Sequence, residues 1–404
     1  MKTHDADVGL VVSGVRSTYR SIVFSAFVLL VIIGYPRIYA TELPMALLLV
    51  PFYLRGFLQF QVKNFKFFLV FAGMFSCWMF GGVAAFLMGD GTTQDVFFHV
   101  VVSFKILLNI FFGYVVYSVV KENDAALLIW LLAQVVVVSI SMVSLDFYLF
   151  LLGFISPRSA DVFQHIFGLR ALGFGLYHVD GALTLIIAAF YYLLIAKPSL
   201  MKTLLLVLML PVSMAVARSA IVPYAILGVL KRGVLVKFCL FTSLVTMFLL
   251  SMIVTEGPIY ESVEIFRNFL NGGAFHSDSV NALADMYILP DSLKVYLFGV
   301  GKYFDSTSSE LMFYMGTDVG YLRLLFYSGL GSVFIFVALN VFGLAGVICS
   351  RSYPGSYDIK AFAFALFCIF IIVNFKGLQV MSIFAIVLYF YASDKKNQVE
   401  PVKH

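Results

Sequence analysis

Charge is what this chain of 404 residues has least of. Asp, Glu, Lys and Arg make up 12% of it, where soluble globular domains carry roughly a quarter. Cysteine is scarce too, at four residues. Cys77, Cys239, Cys349 and Cys368 each fall in an apolar stretch, with no paired spacing in a loop. That excludes a disulfide scaffold and a cysteine-based metal site, and it leaves four small buried hydrophobes. Nucleotide signatures are missing as well: there is no Walker A motif, no dinucleotide fingerprint and no HExxH. "GVGKYFD" pairs glycines with Lys302 but lacks the spacing of a phosphate-binding loop. An ATP-driven pump is thereby disfavoured. Fixed-period repeats, heptads and low-complexity tracts are absent too. The net charge of +5 does not mark a nucleic-acid partner, because basic residues in so apolar a chain report topology first.

What is present is apolar bulk. Hydrophobic residues make up 62% of the chain, with 44 Phe and 22 Tyr, and the mean hydropathy is +0.99. Ile22–Gly34, Phe67–Met88, Val96–Val120 and Ala125–Leu145 approach or exceed the ~20 residues a hydrocarbon core requires. The chain reads as an all-α polytopic membrane protein forming one integral membrane domain over 1–404. About twelve spans are expected, near 21–35, 42–54, 67–88, 96–120, 125–145, 180–196, 202–217, 219–230, 237–254, 318–349, 361–375 and 377–391. The first segment lacks an A-x-A cleavage site and reads as a retained helix. With the N-terminus inside, 17 of the 27 basic residues fall in cytoplasmic segments, Arg55, Lys63, Lys66, Lys121, Lys231 and Lys237 among them. The positive-inside bias then places both termini in the cytoplasm.

That orientation leaves two larger loops on the outer side, Asp146–Val179 and Thr255–Thr317. The second contains "IYESVEIFRNFLNGG", in which Ile259, Val263, Phe266 and Leu270 recur at helical spacing. Glu261, Glu264 and Arg267 interleave with them. An amphipathic helix on the membrane surface fits this pattern, and so does an ordinary loop helix packed on its neighbours.

The outer side also collects cations. Arg158 and Arg170 lie in the first loop, and Arg267, Lys294 and Lys302 in the second. Arg218 interrupts an apolar hairpin in "MAVARSAIVP", and Arg323 sits about one turn inside the tenth span. Guanidiniums kept there need partners, and the planar donor fork suits an anion such as pyrophosphate. For Arg158, Arg267 and Lys294 a nearby carboxylate (Asp161, Asp180, Glu264 or Asp285) serves as well. Arg218 and Arg323, at membrane depth, are the stronger functional candidates. Lys105, mid-span, reads as a buried lysine bonded to a polar neighbour, with Asn109 one turn away. His99 reads as interfacial, and His165 and His178 lie in the first loop. No Asp/His/Glu cluster has metal-ligand spacing, so no metal or cofactor is expected.

Several of these stretches resemble the O-antigen polymerase (Wzy) family. "LFGVGKYF" followed by "TDVGYLRLLFYSGLGS" resembles the end of that family's large outer loop. "AVARSAIV" resembles its Arg-Ser turn between two spans, and "LRALGFGLYHVDGALTL" its Arg-x-x-Gly stretch. The related O-antigen ligases carry a His where this chain has Asp318, which looks more like a polymerase. The motifs cover roughly 170–345. The resemblance implies a GT-C-type fold in the bacterial inner membrane and a metal-independent glycosyltransferase. The growing glycan would pass from undecaprenyl pyrophosphate to a lipid-linked repeat unit at the outer leaflet. It would have membrane lipids and a chain-length regulator protein as further partners, and no nucleic acid. In this reading Asp318 and Arg218 are catalytic. Asp318 orients or deprotonates the acceptor hydroxyl, and Arg218 stabilises the departing pyrophosphate. Arg158, Arg170, His178, Lys302, Tyr321 and Arg323 bind substrate, and Asp318 and Arg323 face a polar cavity. An O-antigen ligase acting on the lipid A core would share the architecture. A lipid-linked sugar flippase would need shorter outer loops, and a secondary transporter would show inverted halves.

Overall fold

A computed structural model describes residues 21–33, 44–89, 91–153, 170–174, 178–195, 199–230, 233–272, 283–305, 312–349 and 356–378. Among the described residues the only extended pairing is one antiparallel bridge between Phe304 and Phe313. Everything else regular is helical. Six stretches are long and apolar enough to cross a membrane: Met45–Lys63, Phe71–Met88, Thr93–Glu122, Asp124–Val143, Val234–Ile253 and Gly320–Ala338. Shorter apolar helices cover Ser21–Ile33, Val179–Leu194, Leu200–Val216 and Arg218–Leu230. The chain is an all-α membrane protein.

In chain order the helices are α1 (Ser21–Ile33), α2 (Val50–Lys63), α3 (Phe65–Met88), α4 (Thr93–Glu122), α5 (Asp124–Val143), α6 (Leu145–Gly153), α7 (His178–Ile195), α8 (Leu200–Val216), α9 (Ile221–Leu230), α10 (Val234–Ile253), α11 (Gly257–Ser262), α12 (Glu264–Gly272), α13 (Leu293–Phe298), α14 (Gly320–Ile348) and α15 (Ser356–Val373). Two expected boundaries change. The span placed at 42–54 continues to Lys63, so Arg55 and Lys63 lie on a helix and not in a connecting loop. Pro51 falls in the first turn of α2, where a missing N–H has no intrahelical partner to lose. The helix expected over 259–273 is two short ones, α11 and α12, separated by the buried Val263. The expected span at 377–391 lies outside the described residues except for its first two.

The chain folds as two compact units. One comprises Met1–Leu54, Val115–Ala225 and Gly233–Val263, and the other Arg55–Tyr114, Ile226–Arg232 and Glu264–His404. In the first unit α7 is the central helix. Leu183, Leu185, Ile186, Ile187, Ala188 and Ala189 are all fully buried, and a helix that is apolar and covered on every side belongs to a core. It packs on α8, which also receives α5, α10 and α11. Pro211 inside α8 removes the N–H that would bond the Val207 carbonyl. Ser243 Oγ on α10 donates to that carbonyl at 3.1 Å, and Tyr224 Oη lies 2.6 Å from the same Ser243 oxygen. The backbone group freed by proline is thus satisfied from a neighbouring helix, as burial away from water requires.

The second unit is built on α14, which packs against α3, α13 and α15. Trp78, Phe336 and Phe370 fill its centre. The sequence suggested one straight helix over 318–349. The structure breaks it at Ser328 (φ −138°, ψ 19°) and Gly329 (φ 78°, ψ −177°). The break releases the Phe326 and Tyr327 carbonyls from the helical ladder, and the N–H groups of Val300 and Gly301 donate to them instead. The approach is reciprocal. A Cβ on Gly299 would strike the Tyr327 carbonyl, and one on Gly329 would strike the carbonyl of Leu297. The glycines of "LFGVGKYF" and "YSGLGS" therefore have a structural reason, which is backbone docked directly on backbone.

Candidate functional site

In the first unit two of the candidate arginines come together. Arg218 opens a three-residue 3-10 turn, Arg218–Ala220, between α8 and α9. The preceding Ala217 is extended, so the apolar run reverses there as the sequence suggests. Arg170 begins the described stretch 170–174, whose backbone is held by four hydrogen bonds from three helices. Ala171 N donates to the Ala215 carbonyl of α8 at 2.8 Å. Leu172 N donates to Ser141 Oγ at 2.8 Å, and Phe174 N to Gln134 Oε1 at 3.1 Å, both on α5. Tyr148 Oη on α6 donates to the Gly173 carbonyl at 2.8 Å. A non-helical segment inside a membrane protein survives only with such pairing.

This anchoring brings Arg170 within electrostatic reach of Arg218. Burial pushes the Arg170 guanidinium below its ordinary value, the Arg218 charge pushes the same way, and Glu261 opposes both. Two guanidiniums and a carboxylate thus share one another's field in a partly desolvated place. Glu261, read in the sequence only as part of an amphipathic pattern, is the acid of this group. His178 opens α7, and Arg158 lies outside the described residues.

In the second unit Asp318 and Arg323 answer each other. They form a hydrogen-bonded ion pair. Arg323 Nε donates to the Thr317 carbonyl at 3.2 Å, and the guanidinium lies 3.3 Å above the centre of the Phe313 ring. The Arg323 side chain is 11% exposed and that of Asp318 58% exposed. A carboxylate, a carbonyl and a ring face, all from the ten residues before it, hold this arginine. Lys302 Nζ stands 6.0 Å over the Tyr314 ring. Tyr321 turns the other way: its hydroxyl donates to the Ile371 carbonyl at 2.9 Å and its ring packs edge-on against Phe375.

A polar and aromatic group that sequence reasoning did not assemble lies beside the α14 break. Asp95 is 1% exposed, yet its carboxylate accepts from the N–H groups of Tyr303 (2.6 Å), Phe304 (3.1 Å) and Thr92 (2.9 Å), and from Thr92 Oγ1 (2.7 Å). The signal was present in "TTQD", a threonine followed three residues later by an acid, which reads as a helix start. Here the acid also fastens the docked loop. His99, expected at the interface, is enclosed between Trp78 (ring centres 5.0 Å apart) and Tyr327 (4.9 Å), with Nδ1 3.1 Å from Tyr303 Oη. This group is structural glue for the loop–helix docking. Lys105, expected to be buried, is exposed on α4, while Asn109 is buried. The two are not stacked as a buried pair, because over residues 93–110 α4 buries only positions 95, 99, 102, 103, 106 and 109.

Among the described residues no three His, Cys, Asp or Glu side chains are grouped as a metal site. Compared with protein-family models, with curated proteins and with solved structures, the chain matches none. The likeness to the polymerases therefore stands on its short motifs alone.

Proposed function

We propose that this membrane protein is a glycosyltransferase of the polysaccharide-polymerase type, moving a glycan from a polyprenyl pyrophosphate to a lipid-linked acceptor. The observation that carries this reading is the anchoring of the Arg170 segment to α5, α6 and α8, which sets Arg170 in the field of Arg218. Departure of a pyrophosphate develops negative charge, and fixed guanidiniums stabilise that charge without reorganising. Their planar forks match phosphate oxygens two at a time. In the same reading Asp318 assists the acceptor hydroxyl. Its side chain is 58% exposed, which leaves it open to an incoming group.

The test is incubation of the purified chain in lipid with polyprenyl-pyrophosphate-linked oligosaccharide, without nucleotide sugar. A ladder of lengthening lipid-linked products is expected. Transfer to a lipid A core acceptor, with no ladder, would replace polymerase by ligase. No transfer to either acceptor would discard the glycosyltransferase reading.

A further inference from the structure

The stretch between α12 and α14 reads in the sequence as an extramembrane loop, yet beside the exposed polar residues Asp285, Asp291, Ser292 and Lys294 its described part also exposes large apolar side chains. Leu289 is 62% exposed, Leu293 73%, Leu297 52% and Phe298 44%. Leu293 and Leu297 are four residues apart on α13 and so share one face of that helix. In water this cluster would be an aggregation liability.

Two features of the second unit say what covers it. The first is continuity. The carbonyl of Leu297 rests against the α carbon of Gly329, at the break in α14. The next residue there, Leu330, is half exposed, and one turn further Phe334 is 74% exposed on an apolar helix. On α3, which α13 also touches, Val83, Leu87 and Met88 are exposed in the same way. The α13 face therefore adjoins helices whose exposed side chains are apolar and suited to hydrocarbon. The second is depth. Tyr321 and Phe336 are fifteen residues apart, about 22 Å along a straight helix. Even so, Tyr321 bonds the Ile371 carbonyl and Phe336 packs on Phe370, neighbours in α15. The break lets Gly320–Tyr327 leave the axis of the rest of α14, and α13 is docked on that redirected turn. Tyr287, Tyr296, Tyr314 and Tyr321 flank it, the residue type that collects at the boundary between headgroups and acyl chains. Tyr287 Oη bonds the Phe375 carbonyl just past the end of α15.

We propose that α13 and the loop before it are seated in the membrane interface, with Leu289, Leu293, Leu297 and Phe298 in contact with phospholipid acyl chains. The inference is independent of the glycosyltransferase reading. It makes residues 283–298 a membrane-resident element that carries the docked glycine loop, and through Phe313 and Asp318 the Arg323 ion pair, at the level of the lipid headgroups.

The experiment uses the full chain with its four cysteines replaced by serine, reconstituted in nanodiscs of neutral and anionic phospholipid. Spin labels are placed one at a time at Leu289→Cys, Leu293→Cys and Leu297→Cys. Phe334→Cys serves as the lipid reference and Glu122→Cys, the exposed last residue of α4, as the aqueous one. Collision with oxygen is compared with collision with a water-soluble nickel chelate. Oxygen accessibility at all three sites that matches the Phe334 label, with nickel accessibility well below that at Glu122, is the expected result. Preferential collision with nickel overturns the proposal and returns the segment to water. Low accessibility to both reagents also overturns it, since the face is then covered by protein. Dipolar broadening between labels would identify that cover as a second copy of the chain. The substituted leucines are exposed, so the variants should insert as the parent does, and three independent sites protect the test against one that does not.

Discussion

The two units hold their arginines in opposite ways. Arg323 is supplied by its own segment: Asp318 five residues back, the Thr317 carbonyl, and the face of Phe313. Arg170 and Arg218 are brought together from positions 48 residues apart, by a backbone stretch pinned to α5, α6 and α8. The first arrangement neutralises a charge and is complete without a ligand. The second sets like charges in each other's field, where Arg218 and burial both work against the charge on Arg170. Glu261 works the other way. The comparison teaches that membrane depth alone does not say how an arginine is held; that lies in what the fold assembles around it.

The largest effect expected from breaking this contrast is at Arg218. Lysine keeps the charge but cannot reproduce the two parallel hydrogen bonds of a guanidinium. Arg218→Lys should insert normally and lose ~10²–10³ in transfer rate, the usual effect of removing one oriented donor from developing charge. Ladder formation by reconstituted protein measures it. Wild-type rates in this variant would remove the arginine pair from the chemistry.

Next in size is Asp318→Asn, which separates two roles for one carboxylate. As a proton acceptor it is worth ~10²–10⁴ in rate. As the exposed half of an ion pair it contributes at most about 1 kcal/mol to stability. The expected result is a rate loss of ~10² with a thermal midpoint close to that of the parent. A normal rate with a lowered midpoint would make Asp318 only the counter-ion of Arg323.

How much of this was legible beforehand follows the same division. The helical class, six helices of membrane-crossing length and the reversal at Arg218 were readable, because each rests on apolar runs or on neighbours in sequence. The approach of Arg170 to Arg218 and the role of Glu261 were not, since they depend on hydrogen bonds between segments tens of residues apart. The burial of His99 and Asp95 was missed for the same reason: their partners, Tyr303 and Tyr327, arrive from more than two hundred residues away. The break in α14 lay hidden inside an unbroken apolar run. Only the glycine spacing hinted at it, and a glycine in an apolar helix has many other uses.

That break gives the third prediction, which concerns stability. Gly329 combines φ 78° with ψ −177°, a region open essentially to glycine alone. Its missing Cβ is also where the Leu297 carbonyl sits. Gly329→Ala should cost at least ~1–3 kcal/mol for the backbone conformation alone, read as a lower thermal midpoint in detergent. Gly331→Ala, two residues on and with nothing within contact distance, should change the midpoint little or raise it, as alanine is the better helix former. Equal effects at both positions would mean that the docking of Leu297–Gly301 on α14 does not contribute to stability.

The smallest effect expected is from chelation, and it sharpens the contrast between the units from the ligand's side. Many phosphoryl and glycosyl transfers rely on a divalent cation to neutralise a departing pyrophosphate. Where Arg170 and Arg218 supply that neutralisation, a metal would add a third positive charge to a place already raised in potential, and its binding there would be opposed. Exhaustive treatment with a chelator should therefore leave the rate of ladder formation unchanged, and adding Mg²⁺ back should not increase it. Arg218→Lys provides the internal control. If the guanidiniums hold the pyrophosphate, added Mg²⁺ should partly restore that variant while doing nothing for the parent, because the weakened site then has charge to gain. A parent enzyme that dies on chelation and recovers with Mg²⁺ would show that the leaving group is held by metal, and that the arginine pair serves some other anion.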